Sequence, residues 1–205
     1  MNNLTDREFW KEYWSNYIYE KVPTRSEFDK YFTPAMYGGE GKTSIEIGGF
    51  PGTMSLYFKR RGYSPTLLDF YVDPKIIDGL EESNGFSKGD VEYIESDFFA
   101  FKSEKQYDLV FSIGFIEHFD DTADVIRRHV DLVKPGGTLF IALPNFRGLN
   151  GWVQKVFDPP QLRCPQHQFH DSFAASRYSR FAAPQGREGA VHRQTYVVVG
   201  AAERY

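Results

Sequence analysis

The chain has 205 residues, of which 41% are hydrophobic and 17% aromatic, as expected for one domain with a sizeable core. Its net charge of −4 argues against nucleic-acid binding driven by phosphate contacts, and the single cysteine, Cys164, excludes an internal disulfide and a cysteine-based metal site. With no visible secretory leader and no apolar stretch near the ~20 residues that span a bilayer, a cytoplasmic protein without a membrane span is expected.

The first forty or so residues predict a helix with one aromatic face, followed by loops. Thr5 or Asp6 can cap a helix that continues to about Tyr19. Five aromatic side chains recur along it at helical spacing: Phe9, Trp10, Tyr13, Trp14 and Tyr17. This face either packs on the domain or forms a lid whose rings line a cleft. We therefore expect residues 1–42 to form an N-terminal helical cap.

Strand and helix patterns alternate from residue 43 onward. Strands are predicted near 43–48, 65–70, 91–95, 107–113 and 137–143, and helices near 53–62, 73–83 and 121–133. The last two strands are nearly continuous apolar runs, which suit central parallel strands covered on both faces. The alternation predicts an α/β fold over residues 43–160: a Rossmann-like, doubly wound, mostly parallel sheet with helices on both faces.

The composition changes after about residue 160. Every lysine lies at or before Lys155, and only residues 195–200 clearly predict a strand. Residues 161–205 are therefore either a divergent C-terminal segment that supplies the edge of the same domain, or a tail altered by truncation or by a change of reading frame.

A glycine-rich turn follows the first predicted strand. The strand ends near the carboxylate Glu46, and Gly48, Gly49 and Gly52 then precede a helix that begins near Thr53. Glycines let the backbone pass close to a ligand, and a helix N-terminus offers free N–H groups. Many α/β proteins carry such a turn, so by itself it is a weak indication of a ligand site. The residues at the following strand ends decide whether it indicates one.

Three further groups stand where predicted strands end. Asp69, about twenty residues after the turn, can accept both hydrogens of a ribose diol. Asp97 and Phe98 can bind an adenine amino group and cover the ring face. The run 112–119 follows the fourth strand, and its backbone would face the reactive end of a bound cofactor.

Each group also has an ordinary structural interpretation. Asp69 can be a solvated loop acid, and Asp97 can cap a helix. Glu117 and His118 can be a helix-start acid and a surface histidine. Because all these groups stand at successive strand ends of one α/β unit, a shared binding site is the favoured interpretation.

These motifs resemble those of class I S-adenosylmethionine-dependent methyltransferases of the small-molecule type. The resemblance covers roughly residues 43–145 and rests on the stretches 46–52, 68–69, 96–98, 107–112, 116–119 and 132–139. The most specific are Ile116-Glu117-His118-Phe119 and the Lys134-Pro135-Gly136-Gly137 run. That run predicts a turn that ends a helix and leads into the fifth strand.

The resemblance implies S-adenosylmethionine as cofactor. The implied binding positions are Glu46, Gly48, Gly49, Phe50, Gly52, Asp69, Phe70, Asp97, Phe98, Ser112, Ile113 and Gly114. The first five form the loop against which the cofactor lies, the acid after the second strand holds the ribose, the next pair binds adenine, and the last three line the methionine side. The family usually has glycine where Phe50 stands, so either Gly49 supplies the freedom or Phe50 points away. The resemblance also implies two last strands that form an antiparallel edge.

The implied activity is methyl transfer to a small-molecule acceptor, which leaves S-adenosylhomocysteine. A methyl group on a sulfonium is already activated, so the protein mainly aligns an in-line displacement and excludes water. His118 is the first candidate for a general base and Glu117 the second, and no metal is required.

Two other functions stay open. A nicotinamide-dependent oxidoreductase would want Gly-x-Gly-x-x-Gly, but Phe50 and Thr53 occupy the second and third glycine positions. A non-catalytic protein that binds the cofactor or a partner would keep the cradle without an acceptor site.

Overall fold

A computed structural model of the chain describes residues 7–144 and the backbone of residues 195–201. These residues form six strands: β1 (Thr43–Ile47), β2 (Ser64–Asp69), β3 (Glu92–Glu95), β4 (Tyr107–Ile113), β5 (Val133–Pro144) and β6 (Thr195–Ala201). The strands make one parallel sheet in the order β3-β2-β1-β4-β5-β6. The order reverses between β1 and β4, which is where ligands bind in such sheets.

The described helices are α1 (Arg7–Trp14), α2 (Pro34–Tyr37), α3 (Thr53–Lys59), α4 (Pro74–Ser83) and α5 (Thr122–Asp131), with 3-10 turns at Glu27–Tyr31 and Ile116–His118. The start of α4 is capped by Asp73 and that of α5 by Asp121, because each carboxylate accepts a backbone N–H of the first helical turn. The predicted doubly wound α/β fold is confirmed.

Alternate residues of each strand face opposite layers of the domain. On β4, Leu109 and Phe111 pack against the side covered by α3 and α4, whereas Val110 faces the side covered by α5. Such alternation follows from the two-residue period of a strand. Burial on both faces explains why β4 and β5 are nearly continuous apolar runs.

The N-terminal segment packs on the face that carries α3 and α4. Val22, Phe32 and Met36 are buried among the side chains of that face. Arg60, directly after α3, donates a hydrogen bond from Nη1 to the Val22 carbonyl at 3.0 Å. Over its described part, the cap predicted for residues 1–42 is thus attached to the sheet core, and its boundary remains a prediction.

The first helix is shorter than expected, because it ends at Trp14 instead of near Tyr19. Ser15 Oγ donates to the Glu12 carbonyl at 2.7 Å, and the backbone N–H groups of Ser15 and Tyr17 bond to carbonyls three residues back. Serine side chains compete with the backbone in this way and favour helix ends. The helical spacing of the aromatic residues therefore continues beyond Trp14, where the helix itself ends.

The Pro-Gly-Gly run was predicted to precede the fifth strand, but it lies inside that strand as a bulge. Val133 pairs with Tyr107, and the next paired residue is Thr138, opposite Leu109. Lys134, within the bulge, forms an ion pair with Asp108 at 2.8 Å. Strand pairing thus begins before the glycines and resumes after them.

The last described strand lies where an edge was expected, but its direction is different. β6 pairs with β5 in parallel, from Thr138↔Thr195 to Pro144↔Ala201. The expected antiparallel edge is therefore wrong for this strand. The proposed division at residue 160 and Cys164 lie outside the described residues.

Candidate functional site

The predicted cofactor-binding residues gather at the carboxyl ends of β1, β2, β3 and β4. Backbone hydrogen bonds join these ends: Gly48 N–H donates to the Leu68 carbonyl at 2.8 Å, and Ser96 N–H to the Asp69 carbonyl at 2.8 Å. The parallel register places the glycine-rich turn after β1 beside the end of β2. It places the loop after β4, residues 114–119, beside β5, and we call this segment the β4 loop. The topology therefore brings four separate sequence motifs together at one edge of the sheet, where we place the candidate cofactor groove.

Glu46 lies under the glycine turn, with only 4% of its surface exposed. Its Oε2 accepts hydrogen bonds from Ser55 N–H at 2.8 Å and from Ser55 Oγ at 2.6 Å. A Cβ added at Gly49 would stand 2.2 Å from Glu46 Oε1, so only glycine fits above the carboxyl group. Burial raises the pKa of Glu46 to about 8, against the Ser55 hydrogen bonds and with a small contribution from Asp69. A buried acid with a raised pKa at a strand end is typical of a functional position.

Asp69 ties the first loop to the end of β2. Its Oδ2 accepts a hydrogen bond from Phe50 N–H at 3.0 Å and its Oδ1 from Tyr71 N–H at 3.1 Å. Burial raises its pKa, and the backbone donors oppose that rise. A carboxylate has about four lone-pair sites, so these backbone donors leave room for a ligand hydroxyl. Phe70, the next residue, is half-buried.

Phe50 does not stand free over the turn. It is buried, and its ring packs edge-on against Trp14 at 5.2 Å and Tyr71 at 5.7 Å between centroids. At the other end of α1, Arg7 Nη2 lies 2.7 Å from Glu95 Oε1, and its guanidinium covers the Tyr71 ring. The aromatic helix is thus both packed on the domain and laid across the ends of β1, β2 and β3.

Asp97 and Phe98 occupy two different environments. Asp97 Oδ1 accepts a hydrogen bond from Phe99 N–H at 2.7 Å, which makes it the cap of the turn after β3. Phe98 is buried on the α5 face. There it belongs to a group that we call the aromatic cluster: Phe98, Phe99, Phe115, Phe119 and His129.

Ser112 turns its side chain into the α5 face. Its Oγ lies 3.1 Å from His129 Nε2, and both residues are fully buried. The His129 Nδ1 lies 2.7 Å from the Val125 carbonyl, so Nδ1–H donates there and Nε2 accepts from the Ser112 hydroxyl. Burial lowers the pKa of His129 to about 4, which keeps it neutral. Ser112 can therefore contribute backbone, but not its hydroxyl, to the groove.

Gly48 has a positive φ of +68° and meets an aromatic ring. The three atoms nearest to a Cβ built there all belong to Phe115, the closest being Cδ2 at 2.1 Å. Gly52, also at positive φ, directly precedes α3. The turn thus has the bare backbone predicted for it, with a side chain from the β4 loop against its first glycine.

The β4 loop contains the two candidate bases. Ile113 is half-buried, and Gly114 N–H donates to the Ala142 carbonyl at 2.9 Å. Glu117 Oε2 is buried without a hydrogen-bond partner in the described part of the chain, and burial raises the pKa of Glu117 to about 7. His118 is exposed, although the surrounding protein desolvates its ring and lowers its pKa. Glu117 thus has a buried oxygen that pairs with none of the described residues and His118 lies at the surface, and the choice of base between them remains a prediction.

Four residues around the candidate site were not predicted from the sequence: Arg7, Ser55, Phe115 and His129. Ser55 and His129 are polar residues inside helices, and nothing in their spacing marks them as partners of Glu46 and Ser112. Phe115 lies within a motif that was singled out, and its position between Gly114 and the Glu-His pair was the available hint.

Within the described range, no group of three or more His, Cys, Asp or Glu side chains is placed to hold a metal ion. The described helices also include none that is long and apolar enough to cross a membrane.

The model of a methyltransferase domain matches residues 18–186 of this chain, which is most of its length. The chain belongs to this methyltransferase family. The family predicted from the strand-end motifs is thereby confirmed.

Curated relatives of this chain include ubiquinone biosynthesis O-methyltransferases. That of Pseudomonas paraeruginosa is 32% identical over 108 residues, which cover 53% of this chain and 47% of the relative. That of Salmonella typhimurium is 30% identical over 128 residues, which cover 62% and 52%. The chain thus spans about half the length of the curated relatives it matches.

Solved structures similar to this chain include coclaurine N-methyltransferase bound to N-methylheliamine and S-adenosylhomocysteine. It has a TM-score of 0.45 and 18% identity, and the match covers 50% of this chain and 31% of the other. A Thiobacillus denitrificans methyltransferase in complex with S-adenosylhomocysteine has a TM-score of 0.43 and 21% identity, with 52% and 46% covered.

Proposed function

We propose that this chain binds S-adenosylmethionine and transfers its methyl group to a small-molecule acceptor. The observation that carries the proposal is the buried Glu46 carboxyl beneath the glycine turn, beside Asp69, in a chain of the methyltransferase family. Family membership removes the basis for the nicotinamide-dependent alternative.

The residues at the groove fit this cofactor. Gly48 and Gly49 leave the turn without side chains of its own, and Glu46 beneath it offers a carboxyl group whose ionised form a cationic methionine end would favour. Asp69 holds the ribose hydroxyls through its free lone pairs, with Phe70 beside it.

The other predicted contacts complete the groove. Asp97 keeps one carboxylate oxygen beyond the bond that caps its turn, and this oxygen would accept a hydrogen bond from the adenine amino group. Phe98, buried in the aromatic cluster, would lie behind the adenine. The backbone of Ser112, Ile113 and Gly114 lines the methionine side, at the carboxyl end of β4.

When bound, S-adenosylmethionine supplies a methyl group already activated on a sulfonium. The chain's own task is to align the acceptor for in-line attack and to exclude water. α1 covers the ends of β1, β2 and β3 and shields that side of the groove from solvent. Glu117, whose buried Oε2 has no hydrogen-bond partner among the described residues, accepts the acceptor's proton, and His118 at the surface orients or assists.

The acceptor atom is an oxygen in this proposal. The curated relatives are named as O-methyltransferases, and a hydroxyl is the acceptor that needs a base near neutral pH. A carboxyl group whose pKa is raised to about 7 suits the removal of a proton from a phenolic hydroxyl.

The test begins with calorimetric titration of the chain with S-adenosylmethionine and S-adenosylhomocysteine. Asp69→Ala should weaken S-adenosylhomocysteine binding by about 1–3 kcal/mol, since charged hydrogen bonds are lost. Asp131→Ala is the control, because Asp131 is an exposed acid at the opposite edge of the sheet. Equal losses in both variants would contradict the ribose assignment.

A panel of phenolic and other small acceptors then tests transfer with methyl-labelled cofactor. Methylation of any member establishes the reaction class. Binding of both cofactor forms without transfer to any acceptor would favour the non-catalytic alternative, and a folded chain that binds neither would refute the proposal.

A further inference from the structure

The ring of Phe115 stands where the backbone of the first turn is bare. A Cβ at Gly48 would lie 2.1 Å from Phe115 Cδ2 and 2.7 Å from Cε2, which is well inside contact distance. A glycine with a positive φ at the end of β1 is the point where a ligand can approach the chain most closely. In this structure the Phe115 side chain occupies the space beside Gly48.

Apolar packing holds the ring in place. Phe115 packs against Phe98 at 5.4 Å and Phe119 at 4.9 Å between ring centroids, with His129 at 5.9 Å behind. Ring pairs of this kind are individually weak, and Phe115 makes three such contacts in the described part of the chain. His129 is fixed by Ser112 and the Val125 carbonyl, whereas, among the described residues, the Phe115 ring is held by apolar contacts alone.

The backbone beside Phe115 is held by the hydrogen bond from Gly114 N–H to the Ala142 carbonyl and by the buried Ile116, so a movement of this residue is a movement of its ring. Gly114 precedes Phe115 at a φ of +66°, and the single 3-10 turn Ile116–His118 follows it. Phe115 itself is only half-buried, in contrast to Phe98. A half-buried ring beside a glycine with a positive φ can leave its place without unpacking the sheet core.

We propose that Phe115 is the gate of the cofactor groove: its ring closes the methionine side in the free protein and must leave Gly48 when the cofactor binds. The inference rests on the proposed function, because it assigns that side of the groove to the cofactor. Phe115 thereby sets cofactor affinity without bonding to the cofactor. A ligand and the ring cannot both occupy the space in front of Gly48.

Only molecules with an open groove can bind the cofactor, so the apparent affinity is the intrinsic affinity multiplied by the fraction of open molecules. Removing the ring makes every molecule open. Phe115→Ala should therefore tighten S-adenosylhomocysteine binding by a factor of about 3–10, the effect of one or two lost ring contacts on the closed state. Association should become faster by a similar factor, since entry no longer waits for the ring to move.

The experiment is calorimetric titration and stopped-flow association of S-adenosylhomocysteine with the wild type, Phe115→Ala and Phe115→Leu. Phe115→Leu keeps an apolar side chain in the cluster and covers the case in which the alanine variant fails to fold. Phe99→Leu is the control: Phe99 packs on Phe98 and Phe119 in the same cluster, but it is absent from the atoms nearest to Gly48.

Tighter binding and faster association in the Phe115 variants, with Phe99→Leu unchanged, is the expected result. Equal or weaker binding in both Phe115 variants overturns the gate and leaves the cofactor assignment standing. An equal gain in Phe99→Leu also overturns it, because the effect would then come from a loosened cluster. If neither the wild type nor a folded Phe115 variant binds, the proposed function and the gate both fall.

Discussion

Glu46→Gln is the substitution whose outcome the structure specifies most closely. The Glu46 carboxyl is buried, and its Oε2 already accepts two hydrogen bonds from Ser55. A glutamine has nearly the same shape, and its Oε1 can accept the same two bonds. The substitution therefore removes the ionisable group and keeps the packing under Gly49.

The magnitude follows from the pKa of Glu46, which burial raises from 4.5 to about 8. Such a rise corresponds to roughly 5 kcal/mol of preference for the neutral form in the folded state. Between these two pH values the unfolded chain has lost the proton that the folded chain still holds. The contribution of Glu46 to stability is therefore complete below pH 4.5, declines as the pH rises, and is lost above pH 8.

Glu46→Gln cannot lose a proton, so its stability relative to the wild type should rise with pH. The limiting slope of that difference is about 1.4 kcal/mol per pH unit between pH 5 and pH 8. Denaturant unfolding followed by circular dichroism from pH 5 to 9 measures it. The exposed Glu40→Gln is the matched control and should show no such trend.

A difference that stays flat, or that falls with rising pH, would refute the burial argument. The same variant should bind S-adenosylmethionine more weakly, since it offers no carboxylate to the cationic end. A gain in stability together with a loss of binding is the usual pattern for a residue kept for function. A stable variant with unchanged binding would remove Glu46 from the proposed site.

Two further predictions concern the β4 loop and the helix behind it. Glu117→Gln should lower turnover and abolish a rise of rate near pH 7. His118→Ala should lower turnover, leave S-adenosylhomocysteine affinity unchanged and retain that rise, because the pKa of His118 lies below its usual 6.5. The pH–rate profiles of both variants decide between the two bases. Ser112→Ala leaves the buried Nε2 of His129 without its partner and should cost about 1–3 kcal/mol of unfolding free energy at unchanged cofactor affinity, as measured by urea unfolding and calorimetry. A weaker affinity in folded Ser112→Ala would show that its hydroxyl reaches the groove after all.

The strand ends were predictable because local composition and period determine them. Each predicted strand from β1 to β5 overlaps an observed one, and the acids Glu46 and Asp69 lie at adjacent strand ends, as expected. A parallel sheet brings all carboxyl ends to one edge whatever the details of packing. Knowing the order of elements was therefore enough to locate the groove.

The direction in which each side chain points was not predictable in the same way. Ser112 was expected at the groove, but the two-residue period places it with Val110 on the α5 face. For Phe50 the sequence left the direction of the ring open, and in the structure Trp14 and Tyr71 cover that ring. In both cases the partner lies on an element distant in sequence, and only the packed layers bring it near.

The sequence by itself determined the α/β alternation, the glycine turn, the acids at the strand ends and the methyltransferase family, because these depend on residues close together in the chain. Only the tertiary structure decided the parallel direction of β6, the Ser55 partner of Glu46 and the Phe115 ring at Gly48. Those features depend on which distant surfaces fill the same volume. A local pattern predicts what a segment can form, whereas close packing selects what it touches.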